Sequence, residues 1–200
     1  MAIVADPSRP HLSRAGHVGG DGEPEVFCAD EQDDVPLELE RWQQLALRVL
    51  RDQGVRGLAE LSLLFVGETE ISELNEQYMG KTGPTDVLAF PLDGHDVTHA
   101  VMESGASRGP DRAPLDPGDM PLLLGDVVLC PAVALRQAPT HAGSLDDELA
   151  LLVVHGILHV LGHDHANDDE AAAMRSIERR LLEAHHWDGP APAAFRQEQE

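Results

Sequence analysis

Apolar positions recur at helical spacing along parts of this chain and as short unbroken runs along others. Pro36 opens a stretch in which Leu39, Trp42, Leu45, Ala46, Val49 and Leu50 share one face, which predicts an amphipathic helix starting at Pro36 and ending near Gly54. Thr69 has the character of an N-cap for a short helix with Ile71 and Leu74 inward, ending near Tyr78. A further short helix is expected at 132–138. Ser144 opens a capping-box pattern, Ser-Leu-Asp-Asp, ahead of a run that is apolar almost all round, so that helix should be central and buried. A last helix over 168–186 turns Ala172, Met174, Ile177, Leu181 and Leu182 inward.

Four apolar runs are too short for helices and read as strands: Val26–Ala29, Leu61–Val66, Asp86–Phe90 and Leu122–Cys130, the last two closed by Pro91 and Pro131. Residues 1–24 are rich in Gly, Pro, Ser, His and Asp without period, so an unordered tail is expected. Residues 92–121 form a long aperiodic connection, mobile or a lid, and residues 188–200 a Pro/Ala tail. The sum is one α+β domain over 25–187, a small mixed sheet of about four strands packed with about five helices.

Composition narrows the class. The 200 residues are 42% hydrophobic but only 4% aromatic, so the core should be mostly Leu, Val and Ala. No run approaches the roughly 18 apolar residues of a membrane span. No apolar segment follows a basic N-terminus, so a secretory signal is not expected and a cytoplasmic protein is. Cys28 and Cys130 make no C-x-x-C pattern and read as reduced core or strand residues, with a single bridge the alternative. The net charge of −22 opposes a broad electrostatic footprint on a polyanion, so nucleic-acid contact would need a local basic patch or a metal.

Candidate chemistry concentrates in residues 155–165, His-Gly-Ile-Leu-His-Val-Leu-Gly-His-Asp-His. His155 and His159 lie four apart and project from one helix face, where two neutral imidazoles can grip one ion. His163 stands two turns beyond His155, about 12 Å along a straight helix, while zinc–nitrogen bonds are only about 2.0–2.1 Å long. The chain must therefore turn back. Gly162, free to take the left-handed conformation, can end the helix and return His163 or His165 to the ion, with His165 favoured. The His-x3-His-x5-His spacing follows the long zinc-protease motif, but the glutamate general base of those enzymes is replaced by Gly156, which argues against a peptidase. Three protein ligands leave a fourth position open, as in catalytic rather than structural zinc sites. A water held there could then be activated as a nucleophile. His163 and Asp164 are candidate proton carriers or partners of the ligands, Asp164 being as readily a turn residue. Asp86 is either such a partner or a strand-start cap. His95 and His99, and the pair His185–His186, are taken as non-functional.

The histidine run resembles the signature of the YbeY family of bacterial endoribonucleases and rRNA maturation factors. Two further stretches, in the family's order, agree: Glu73-Leu74-Asn75, Tyr78 and Gly83-Pro84-Thr85-Asp86-Val87-Leu88-Ala89-Phe90-Pro91, then Leu124-Gly125-Asp126-Val127-Val128-Leu129-Cys130. The resemblance covers roughly residues 25–187. It implies His155, His159 and His165 as ligands of one Zn2+ ion, and leaves His163 outside the ligand set. It also implies cleavage of single-stranded RNA, not DNA, in rRNA maturation and ribosome quality control, with an rRNA precursor and the ribosome or a ribosome-associated protein as partners. One position departs: Met79 stands where the family often carries an arginine implicated in cleavage. Lys81, two residues on and the only lysine, or an arginine elsewhere, is a candidate replacement for that charge, a solvated surface charge being the alternative reading of Lys81. Met79 and the acidic balance together motivate an alternative, a metal-stabilised ribosome-assembly factor with little nuclease activity of its own.

Overall fold

A computed structural model of the chain describes residues 14–18, 23–92, 121–165 and 167–197. Five strands form one mixed sheet: β1 (Arg14–Val18), β2 (Glu25–Asp30), β3 (Ala59–Phe65), β4 (Val87–Pro91) and β5 (Leu122–Leu129), in the order β1-β2-β3-β5-β4. The central pairs β2–β3 and β3–β5 are parallel, while the outer pairs β1–β2 and β4–β5 are antiparallel. The helices are α1 (Leu39–Asp52), α2 (Glu68–Leu74), α3 (Pro131–Gln137), α4 (Leu145–Val160) and α5 (Asp168–His185).

The α+β class and mixed sheet follow the apolar pattern. β3 alternates without a break, Ala59, Leu61, Leu63 and Phe65 being buried between half-buried neighbours. Those four residues meet Trp42, Leu45, Ala46, Val49 and Leu50 of α1 in the main core, which α4 and α5 complete. A smaller cluster of Val66, Ile71, Leu88, Val128, Cys130 and Val133 seats α2 and α3. In β5 both Leu124 and Val127 join the main core although their spacing is odd. The register explains it: Glu60 faces Leu123 but Leu61 faces Gly125, so Leu124 is the extra residue of a bulge. Gly125 carries φ 148 there, against the Phe90 carbonyl of β4.

Several expectations change. β1 lies in the segment expected to be an unordered tail. Pairing with the open edge of β2 uses backbone groups alone, so it needs no apolar alternation in the added strand. The first helix begins at Leu39 rather than at Pro36, and Val35 and Leu37 before it are buried in the core. Thr69 is not the cap of α2; Gly67 occupies that position, with no side-chain cap bond. The helical segment does end near Tyr78, at Met79, but its last turn over Asn75–Met79 is a π-turn, closed by left-handed Gly80. The expected tail from residue 188 is packed: Phe195 is buried, its ring edge-on to Trp187 at 4.8 Å, and the Arg196 amide donates to the His141 carbonyl at 2.9 Å. A lone aromatic in a Pro/Ala context gives no periodicity from which to foresee this. Cys28 and Cys130 are both free and buried, so the bridge alternative falls away; burial, with the nearby Asp30 charge, pushes the Cys28 thiol up to about 12. The connection over 92–121 and the pair His95–His99 lie, apart from residues 92 and 121, outside the described residues. No helix among the described residues is long and apolar enough to cross a membrane.

Candidate metal centre

Helix α4 is set by its two ends. At the start, the Ser144 hydroxyl accepts from the Asp147 amide at 3.1 Å. At the finish, the His163 amide donates to the Leu158 carbonyl at 2.9 Å and the Gly162 amide to the His159 carbonyl at 3.0 Å. That pair of bonds is the Schellman closure, and Gly162 has the left-handed φ of 88 it demands. Between the ends ten residues are buried, Glu148 included; its carboxylate faces His141 Nδ1 at 3.2 Å and accepts the Ala142 amide at 3.1 Å.

The reversal at Gly162 brings His165 back beside the helix. The ring centroids are 4.5 Å apart for His155–His159, 4.9 Å for His159–His165 and 5.7 Å for His155–His165. One ligand atom from each ring can be chosen so that all three lie within 4.8 Å of one another, an arrangement that could hold a metal ion. The Nε2 atoms of His155 and His159 are 3.1 Å apart. Two nitrogens on a tetrahedral zinc with bonds of about 2.0–2.1 Å are separated by roughly 3.3 Å, so the spacing fits that ion.

Protonation favours ligation as well. Burial holds His159 down at about 4, helped by its neighbours His155 and His165, so the ring is neutral at pH 7 and its lone pair is available. His155 Nδ1 lies 2.7 Å from Glu178 Oε1 of α5. An ionised carboxylate only accepts, so Nδ1 carries the proton and Nε2 is left bare toward the cluster. His155 and His159 are half-buried and His165 is exposed, so the cluster opens to solvent on the His165 side.

The other candidates sort differently. Asp164 is exposed, and its carboxylate accepts the amide of His165 at 2.7 Å, so it shapes the returning loop. His163 is half-buried; burial lowers its pKa, and it is not part of the three-histidine cluster. Lys81 is exposed on the turn after the π-turn, where its amide reaches the Asn75 carbonyl, and its side chain makes no bond or ion pair with the described residues. Asp86 is a strand-start cap, its carboxylate accepting from the Val87 amide at 2.8 Å and from the Thr85 hydroxyl at 3.2 Å. His185 pairs with Asp52 at 3.1 Å and His186 with Asp147 at 2.8 Å, both remote in sequence from the cluster. Gly156 is more than a missing base: a Cβ there would press on Val127 of β5, so a larger residue would force Val127 or α4 to shift. Glu178 was not foreseen. Its signal was a charged residue four after Met174 and three before Leu181, on the inward stripe of α5.

The family profile described as Endoribonuclease YbeY matches residues 27–186. The chain belongs to the YbeY family. Among curated YbeY proteins it is 48% identical to the Endoribonuclease YbeY of Salinispora tropica over 138 residues, which span 69% of this chain and 82% of that one. It is 45% identical to the one from Acidothermus cellulolyticus over 155 residues, 77% of this chain and 87% of the other. The solution structure of a Thermotoga maritima protein superposes with a TM-score of 0.52 at 24% identity, covering 82% of this chain and 90% of that one; this likeness concerns the fold alone.

Proposed function

We propose that this chain is a zinc-dependent endoribonuclease that cuts single-stranded RNA during rRNA maturation and ribosome quality control. A hydrolase acting on RNA is the reading that membership of the YbeY family supports, its relatives being named endoribonucleases. The observation that carries the metal part is the convergence of His155, His159 and His165 within 4.8 Å, with Nε2 of His155 bared by Glu178.

In this reading His155 and His159 grip the ion from one face of α4, and His165 closes it from the returning loop. Zinc supplies Lewis acidity toward a phosphate oxygen and toward water. Exposed His165 marks the side from which a phosphodiester reaches the site. Asp164 fixes the loop through the His165 amide and so holds that ligand's backbone. Lys81, exposed and cationic, is the residue we assign to contact a phosphate of the substrate, in place of the charge that Met79 lacks. The partners are an rRNA precursor and the ribosome or a ribosome-associated protein, and the location is the cytoplasm, where that RNA is made.

Purified protein loaded with zinc and incubated with single-stranded RNA tests this directly. Cleavage by the wild type that vanishes in His159→Ala is the expected result. A second reading, a metal-stabilised assembly factor that cuts little, is favoured by exposed Met79 and the net charge of −22. Full zinc occupancy without cleavage would select it.

A further inference from the structure

His155 is backed by residues outside the histidine motif, Glu178 of α5 and Gln197 of the C-terminal segment. Glu178 is buried to 3% exposure within α5. A buried carboxylate is costly unless both oxygens are satisfied. Here Oε1 accepts from His155 Nδ1 at 2.7 Å, and Oε2 accepts from the Gln197 side-chain amide at 2.6 Å. The same Gln197 amide nitrogen also donates to the Arg175 carbonyl one turn up α5, at 3.0 Å. The segment that brings Gln197 there is docked at two further points, Phe195 against Trp187 and the Arg196 amide on the His141 carbonyl.

We propose that Glu178 is a positioning residue for the metal ligand His155, and that Gln197 of the C-terminal segment holds Glu178 in place, so that the end of the chain tunes metal affinity. The inference rests on the zinc reading above. Physically, an imidazole on a helix can turn about its outer torsion, and either ring nitrogen can carry the proton. The carboxylate settles both: it selects the Nδ1–H form and aims Nε2 at the cluster. The carboxylate could itself rotate within α5, and the Gln197 amide, fixed by Arg175, removes that freedom. Loss of such outer partners typically weakens metal binding about 10–100-fold. Loss of one supporting hydrogen bond a step further out should weaken it about three- to tenfold.

The experiment titrates zinc into the full chain in competition with a chromogenic chelator, for the wild type, Glu178→Gln and Gln197→Ala. Ring 15N spectra of His155 are recorded on the same samples. Glu178→Gln keeps the shape of the side chain. Gln197→Ala alters a residue at the rim of the core and keeps the test open should the buried substitution fail to fold. Expected are roughly 10–100-fold weaker zinc binding for Glu178→Gln, three- to tenfold for Gln197→Ala, and a shifted His155 Nδ1 signal in both. Wild-type affinity and an unmoved His155 signal in a folded Gln197→Ala overturn the role of the C-terminal segment, and the same result in Glu178→Gln overturns the positioning role. A wild type that takes up no zinc instead overturns the metal centre itself.

Discussion

Gly156 of α4 rests directly on Val127 of β5: a Cβ built on the glycine would press inside contact distance of Val127 Cγ1 and stand 3.2 Å from Cγ2. The residue between the two halves of the histidine motif thus sets how closely the helix bearing His155 and His159 lies on the sheet. A glutamate there would force Val127 or α4 to move, so packing as well as chemistry disfavours the peptidase base at this position. Gly156→Ala should destabilise by about 1–3 kcal/mol, as overpacking does. Each kcal/mol lowers the melting temperature by roughly 2–4 °C in a chain of this size. Thermal unfolding measures it, and an unchanged midpoint would show that α4 can lift without penalty.

Removing a ligand should uncouple stability from metal. Zinc at about 100 times its dissociation constant stabilises a folded site by about 2.7 kcal/mol. Wild type should melt higher with zinc than without, and His155→Ala should show little of that rise and little bound zinc by elemental analysis. Equal zinc content in the two proteins would remove His155 from the ligand set.

The left-handed residue at the end of α4 has a different weakness. A Cβ on Gly162 would touch nothing, yet φ is 88, so Gly162→Ala should cost about 1–2 kcal/mol from backbone strain alone. Because the turn returns His165, zinc affinity should fall along with stability. Chelator competition and urea midpoints on one sample read both effects, and a loss of stability with intact affinity would mean that His165 reaches the site by another path.

Acid should weaken the metal-free protein through His159. Burial and the neighbouring His155 and His165 hold its pKa at about 4, against an ordinary 6.5. The unfolded chain therefore binds a proton that the folded chain refuses, and stability falls as pH drops from about 6.5 toward 4. His159→Gln should flatten that part of the curve of urea midpoint against pH. An equally steep curve in the variant would place the acid sensitivity elsewhere.

Asp147 should act lower on the pH scale. Burial raises its pKa, but hydrogen bonds from Trp187 at 2.6 Å, Ser144 at 2.7 Å and His186 at 2.8 Å outweigh it, and the carboxyl sits below its ordinary 3.8. Its contribution is full above that ordinary value and is lost as pH falls through the lower native one. At pH 7, Asp147→Ala should cost about 1–3 kcal/mol by stranding the Trp187 and His186 donors. Near-ultraviolet dichroism of Trp187 and the urea midpoint follow it. Full stability in the variant would assign those donors to water.

Local pattern alone determined four of the five strands, the helices, the Ser144 cap and the helix stop at Gly162, because each depends on residues within a turn or two of one another. The three histidines were legible for the same reason: ten residues of chain and one reversal bring them together. Tertiary structure decided the rest. The Glu178 carboxylate meets His155 across 23 positions, Gln197 meets Glu178 across 19, and Val127 meets Gly156 across the helix–sheet interface. β1 joined through backbone pairing that side-chain alternation does not report. Periodicity states which face of an element turns inward; which distant group waits there is fixed only when the elements pack.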